Sequence, residues 1–410
     1  MSSRRNGLVA AAFLATLAVL FVAQGFLDRA ATAQSRTAAQ APRFEVDPFW
    51  PKPLPNHWLL GSSIGVWVDA QDSVWMIHRS SATLNNNEKG AEGPNPIAEC
   101  CKGAPPVLKF DKAGNLAASW GGPGTGYEWP SSNHGIFIDH KGNVWIGGNG
   151  PGDSHILKFT QDGKFLAQYG KANARRIGTG TGADAKYQRG SNDPGNFGRV
   201  AKIFVEPKAN EAYLSDGYFN TRVAVLDADT GAMKRYWGAY GNKPTDEDLG
   251  PYRPDVPPAQ QFRNPVHCAD VSNDGLVYVC DRQNNRIQVF TKEGKFVKEG
   301  FFAKNTLAAG AVWDVAFSRD AQQRYIYVAD GQNQKVYIVE RESLTLLTSF
   351  GDGGRQPGQF FGVHSIATDS QGNVYTTETY EGKRLQKFVN RGVRPVPSAN
   401  QGSAGTWPTK

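Results

Sequence analysis

Short apolar runs, two-residue in period and broken by Asn, Asp and Gly, fill the chain between residues 43 and 392. The stretch Phe262 to Phe290 shows the unit they are built from: an apolar strand, a turn at Asn273-Asp274-Gly275, a second strand, a polar corner, and a third strand ending in Phe290. Such alternation between Asn-Gly or Asp-Gly turns predicts antiparallel strands. Six copies can be read in order. They open IGVWVDAQDSVWMIHR at Ile64, HGIFIDHKGNVWIGG at His134, AKIFVEPKANEAYLSDGYFN at Ala201, the stretch above, WDVAFSRDAQQRYIYVAD at Trp313, and HSIATDSQGNVYTTET at His364. Four-stranded repeats at a spacing of ~40–65 residues predict an all-β, six-bladed β-propeller, because one blade cannot bury both its faces alone. The sixth copy lacks a clear fourth strand, and Arg43 to Val46 is expected to supply it and close the ring. Insertions at 80–105, 171–198 and 242–261 are rich in Gly, Pro and Asn and read as rim loops, where function commonly sits.

The repeat aligns on the residue ending each first strand: Asp69, Asp139, Glu206, Ser272, Ser318 and Asp369. Five residues upstream stand Ile64, His134, Ala201, His267, Trp313 and His364. Histidine thus falls in blades two, four and six, which lie about 120° apart in a six-fold ring. His134, His267 and His364 are expected to converge on the axis as neutral nitrogen ligands, with a further position open, as in a catalytic zinc centre. Iron, copper and nickel also accept imidazole. The plainer alternative is three channel histidines bonded to backbone or water. His78 lies beside Arg79 at a corner and could support the site, whereas His57, His140 and His155 read as structural or solvated. Corner residues ending the second strands include Arg79, Tyr218 and Arg282. Arginine forks hold carboxylates, and a tyrosine near a divalent cation ionises more easily. The alternative is that these residues pair with neighbouring Asp and Asn to make turns.

Composition narrows the classes. The net charge of +7 is spread along 410 residues, with no basic face for nucleic acid. Arg4 and Arg5 precede an apolar run, and Ala31-Thr32-Ala33 offers a cleavage site, so residues 1–33 read as an export signal. Leu8 to Leu27 is nearly span length, which leaves an uncleaved membrane anchor as the alternative. Residues 34–42 read as a linker, 43–392 as the propeller and 393–410 as a Pro/Gly-rich tail. Four cysteines suit a periplasmic or extracellular setting. Cys268 and Cys280 flank one turn and either form a cross-strand disulfide or stay reduced; Cys100 and Cys101 have no assignable partners. A monomer is expected.

These residues resemble peptidyl-α-hydroxyglycine α-amidating lyase, a zinc propeller of the NHL-repeat type, over most of 60–390 and most strongly over 196–290. The resemblance implies zinc on His134, His267 and His364. It implies active-site roles for Arg79 in the phrase IHR, Tyr218 in SDGY and Arg282 in DR. The implied activity is a zinc-dependent carbon–nitrogen lyase that cleaves a carbinolamide to an amide and glyoxylate. The substrate would be a small molecule or peptide ending in an α-hydroxyglycine-like group. Three departures stand out. Ser365 replaces the carboxylate that follows the third histidine and serves a structural calcium, which puts Ca2+ in doubt. Gly362 replaces a methionine, and the family's disulfide cysteines align with Phe219, Tyr278 and Val289. Two other readings stay open: a non-catalytic propeller that binds a peptide or envelope partner, and a metal-dependent lactonase or other hydrolase.

Overall fold

Each blade begins with a hairpin closed by the residue on which the repeat aligns. In the computed structural model, one Asp69 carboxylate oxygen accepts the backbone N–H groups of Gln71 and Ser73, and the other accepts Trp75 Nε1 at 2.8 Å. Asp139 does the same for Lys141, Asn143 and Trp145, and Asp369 for Gln371, Asn373 and the Tyr375 hydroxyl. The acid therefore satisfies the turn's orphan donors and fastens the aromatic residue of the second strand. Blades four and five reach the same end with Ser272 bonded to Asp274 and Ser318 bonded to Asp320.

The structure describes residues 39–180 and 184–396, with Gln24 ahead of them. The segment read as an export signal or anchor lies, apart from Gln24, outside the described residues. Among those described, no helix is long and apolar enough to cross a membrane. Six four-stranded antiparallel sheets form the fold. Their innermost strands are Ser63–Val68, Asn133–Ile138, Val200–Glu206, Val266–Val271, Asp314–Phe317 and Val363–Thr368. Each packs against the next, and the sixth against the first, so the ring is closed. The core lies between blades, in clusters such as Trp75, Ile77, Ile136 and Leu157 between blades one and two.

The outermost strand of blade six is Gln40–Asp47, paired antiparallel with Arg384–Pro395. Phe44 is fully buried, 5.1 Å from the Tyr327 ring and 5.0 Å from the Phe350 ring of blade five. The first strand starts at Gln40, three residues inside the expected linker. The last runs to Pro395, three residues into the expected tail. Both extensions have one cause, the pairing of Gln40, Ala41 and Pro42 with Pro395, Arg394 and Val393. Phe44→Ala should cost ~3–5 kcal/mol, the usual price of emptying a buried aromatic site. A melting temperature indistinguishable from wild type would show that the closing strand does not hold the ring.

Antiparallel order puts every corner between second and third strands on one rim, together with every blade-to-blade connection. The three insertions follow such points, so they share the rim on which the first strands begin. Arg222 anchors one of them through the carbonyls of Ser191, Asp193 and Asn196. The structure pairs Cys268 with Cys280, directly opposite on blade four, and joins Cys100 to Cys101 within the first insertion.

Candidate metal centre

His134, His267 and His364 each sit second in their innermost strand, on the insertion-bearing rim. All three are buried, and their ligand-capable nitrogens lie within 4.8 Å of one another. The cluster could therefore hold a metal ion. What orients the rings is the intervening blade. His134 Nδ1 meets the Ala201 carbonyl at 2.6 Å, His364 Nδ1 meets the Ile64 carbonyl at 2.7 Å, and His267 Nδ1 meets the Trp313 carbonyl. Ile64, Ala201 and Trp313 are the residues that occupy the histidine register in blades one, three and five. Even blades supply imidazoles, and odd blades supply the carbonyls that hold them. Gly135 makes one of these contacts possible, because a Cβ there would stand 2.6 Å from the Ala201 oxygen.

A carbonyl oxygen can only accept, so each Nδ1 carries the proton and each Nε2 presents a lone pair. Burial is the first cause that keeps the rings neutral. It lowers His364 to about 3, with Arg282 and Arg79 adding to the fall. His134 and His267 are also held well below the ordinary value by burial and then by the neighbouring imidazole of His364. Tyr218 Oη stands 3.0 Å from Nε2 of His134 and 3.0 Å from Nε2 of His267. One phenol proton cannot serve both. Among the described residues nothing donates to Nε2 of His364. Converging lone pairs in such excess over protons fit a cation, and three imidazoles fit zinc among others.

The corner residues divide by task. Asp216 and Asp281 are fully buried and bound at 2.8 Å by Arg222 and Arg286, so the carboxylates of these corners make turn structure. Glu378 is tied likewise to Arg384. Other residues of these corners, and Arg79 of blade one, turn to the axis. Arg282 Nη1 donates to Tyr218 Oη at 3.2 Å, and its guanidinium lies 4.5 Å over the Trp313 ring. Arg79 Nη2 donates to Asn149 Oδ1 at 2.9 Å. Neither Arg79 nor Arg282 has a carboxylate within ion-pair distance among the described residues, although Arg282 is only 7% exposed. Burial pulls Arg79 below its ordinary value, while the Tyr218 and Tyr380 hydroxyls oppose that fall. Burial raises Tyr218, and Arg282 and Arg79 draw it back.

His78 accepts the backbone N–H groups of Gly61 and Ser80 through Nδ1 and donates from Nε2 to the Pro105 carbonyl, so it braces the corner that presents Arg79. His155 donates to the Glu128 carbonyl, away from the axis. Sequence reasoning overlooked Trp313, which supports both Arg282 and His267. Its place in the histidine register was the available signal.

Fold and site define the class: a six-bladed propeller with a metal-capable trio of histidines on its axis. The NHL repeat family matches residues 266–290. Over 334 residues the chain is 24% identical to peptidyl-glycine alpha-amidating monooxygenase A of Xenopus laevis, covering 78% of this chain and 31% of that protein. Peptidylglycine alpha-amidating monooxygenase of Rattus norvegicus is 24% identical over 356 residues, covering 83% and 32%. The chain thus spans about a third of the length of these relatives. NHL repeat-containing protein 3 of Mus musculus is 22% identical over 366 residues, covering 85% of this chain and 84% of that one. Among solved structures, a streptogramin B lyase superposes with a TM-score of 0.50 at 12% identity, covering 85% of this chain and 98% of that chain, a likeness of fold.

Proposed function

We propose that this chain is an exported zinc-dependent lyase that cleaves the N–C bond of a carbinolamide, giving an amide and glyoxylate. The observation that carries the proposal is the pair of arginines, Arg79 and Arg282, which have no carboxylate within ion-pair distance among the described residues and stand beside three converging imidazoles. A buried guanidinium without a counter-ion is costly, and a ligand carboxylate next to a metal-bound centre removes that cost. The similarity to amidating enzymes supports the same substrate class. Zinc would be held by His134, His267 and His364 and would supply Lewis-acid chemistry to the substrate hydroxyl.

The chain's own groups suit the remaining steps. Arg282 binds the substrate carboxylate through the guanidinium nitrogens that Tyr218 does not engage. Tyr218, as the phenolate that Arg282, Arg79 and a bound cation would favour over the phenol, accepts the hydroxyl proton, the oxygen forms the aldehyde C=O, and the C–N bond breaks with its electron pair moving to nitrogen. The proton then passes to that nitrogen, so no water or redox partner is consumed. Arg79 offers positive charge to the developing oxyanion, and removing one such donor typically costs ~10²–10³ in rate. The partner is a small molecule or peptide ending in an α-hydroxyglycine-like group, without nucleic acid, and the chain acts as a monomer. Two disulfides and the N-terminal segment fit a periplasmic or extracellular location.

The direct test combines metal analysis of the purified protein with glyoxylate release from an N-acyl-α-hydroxyglycine. About one zinc per chain, with release that chelation stops and zinc restores, is the expected result. Stoichiometric metal without glyoxylate would move the substrate class.

A further inference from the structure

Beneath the imidazoles lies a second polar layer, built from Lys202, Asp314 and Ser365 one residue past the histidine register and Asp270 three residues past it. Lys202 Nζ sits 2.6 Å from Asp314 Oδ1 and 2.8 Å from Asp270 Oδ2, and the three side chains are 3–8% exposed. Asp314 Oδ2 accepts the Ser365 hydroxyl at 2.7 Å and the Ile366 N–H at 3.1 Å. Ser365 Oγ in turn accepts the Val66 N–H at 3.3 Å. One connected set of bonds therefore crosses blades three, four, five, six and one. Lys202 follows Ala201, Asp314 follows Trp313 and Ser365 follows His364. The set is thus covalently adjacent to two of the carbonyls that orient imidazoles and to one of the imidazoles.

We infer that the Lys202 ammonium is a built-in structural cation, fixed on the axis where two buried carboxylates would otherwise call for a divalent ion. The calcium that the sequence resemblance would imply does not fit these residues. Position 365 has a hydroxyl in place of a carboxylate, and the nearest carboxylate, Asp314, is already engaged by Lys202, Ser365 and Ile366. The cavity between the three imidazoles and this layer, lined also by Lys202, Asp314 and Ser365, measures about 10 Å³, room for one water. Burial opposes charge on Lys202, but Asp270 and Asp314 outweigh it and hold the amine above its ordinary value. Burial pushes Asp270 up to about 6 against the pull of Lys202, and its Oδ1 has no hydrogen-bond partner. Without the ammonium, these carboxylates would have to take up protons or a metal ion. The layer gives the ring a cation that no change in calcium supply can remove. This inference stands independently of the lyase reading, because it concerns the ring and not the reaction.

The test uses the full chain as purified, with and without millimolar CaCl2. Wild type is expected to hold no stoichiometric calcium and to melt at the same temperature in both buffers. Lys202→Met should melt roughly 10 °C lower, the consequence of leaving buried carboxylates without their counter-charge. It should bind about one calcium per chain and recover most of that loss in CaCl2. Lys202→Gln, smaller in its disturbance, should show the same calcium response if the methionine variant fails to fold. Stoichiometric calcium in the wild type would overturn the inference. So would Lys202 variants that match the wild type, or variants that are destabilised but indifferent to calcium.

Discussion

His267→Ala is expected to lose its metal and, with it, glyoxylate release. Structural zinc in four-ligand sites is worth ~10–16 kcal/mol, so one ligand contributes roughly 3–4 kcal/mol, on the order of 10²–10³ in affinity. The loss should exceed what an absent ligand alone would give, because the three imidazoles are the whole metal-capable cluster found among the described residues, with no fourth such side chain to take over. The neighbouring carbonyl of Trp313 would also lose its partner. His155→Ala is the matched control: it removes a buried histidine bonded to a main-chain carbonyl, but one that lies off the axis. That variant should keep about one metal ion per chain. If His267→Ala retained both metal and turnover, the axial trio would be a set of channel histidines bonded to backbone, and the lyase reading would fall with it.

The reason this trio could be found in the sequence is that a propeller converts register into geometry. Asp69, Asp139 and Asp369 close equivalent hairpins, so residues at a fixed distance from them must occupy equivalent places around the axis. Alternation of histidine by blade then gives three-fold convergence. The missing fourth strand of the sixth copy pointed to the closing strand at Arg43 to Val46, but its outer three residue pairs follow no apolar pattern and are set by main-chain pairing alone. The carbonyls of Ile64, Ala201 and Trp313 were hidden for a related reason. A main-chain acceptor leaves no trace in residue identity, and only the positions of those residues in the histidine register pointed to them. Lys202 was hidden differently. In an alternating strand a lysine reads as solvated, and its partners Asp270 and Asp314 come from two other blades, so no local pattern joins them. Tyr218 and Arg282 are legible first from their corner positions, and the family resemblance gives them active-site roles. The structure separates them from Asp216 and Asp281, which hold the turns.

Tyr218→Phe isolates the proton-transfer step from the architecture around it. The ring packs edge-on to His134 at 4.9 Å and lies 5.6 Å from the Arg282 guanidinium, and phenylalanine keeps both contacts. Metal content should therefore stay unchanged, and so should the affinity for glyoxylate, which Arg282 would still hold. What disappears is the Oη between Nε2 of His134 and Nε2 of His267. General acid–base groups contribute ~10²–10⁴ in rate, and the loss should fall on kcat with little change in KM. Arg282→Met should show the opposite division, with KM rising because the carboxylate loses its fork. That contrast separates a base from a positioning group: a tyrosine that merely oriented the arginine would raise KM when replaced, in step with Arg282→Met. Turnover by Tyr218→Phe at the wild-type rate would assign the proton to another acceptor and leave Tyr218 as a hydrogen-bond partner of Arg282.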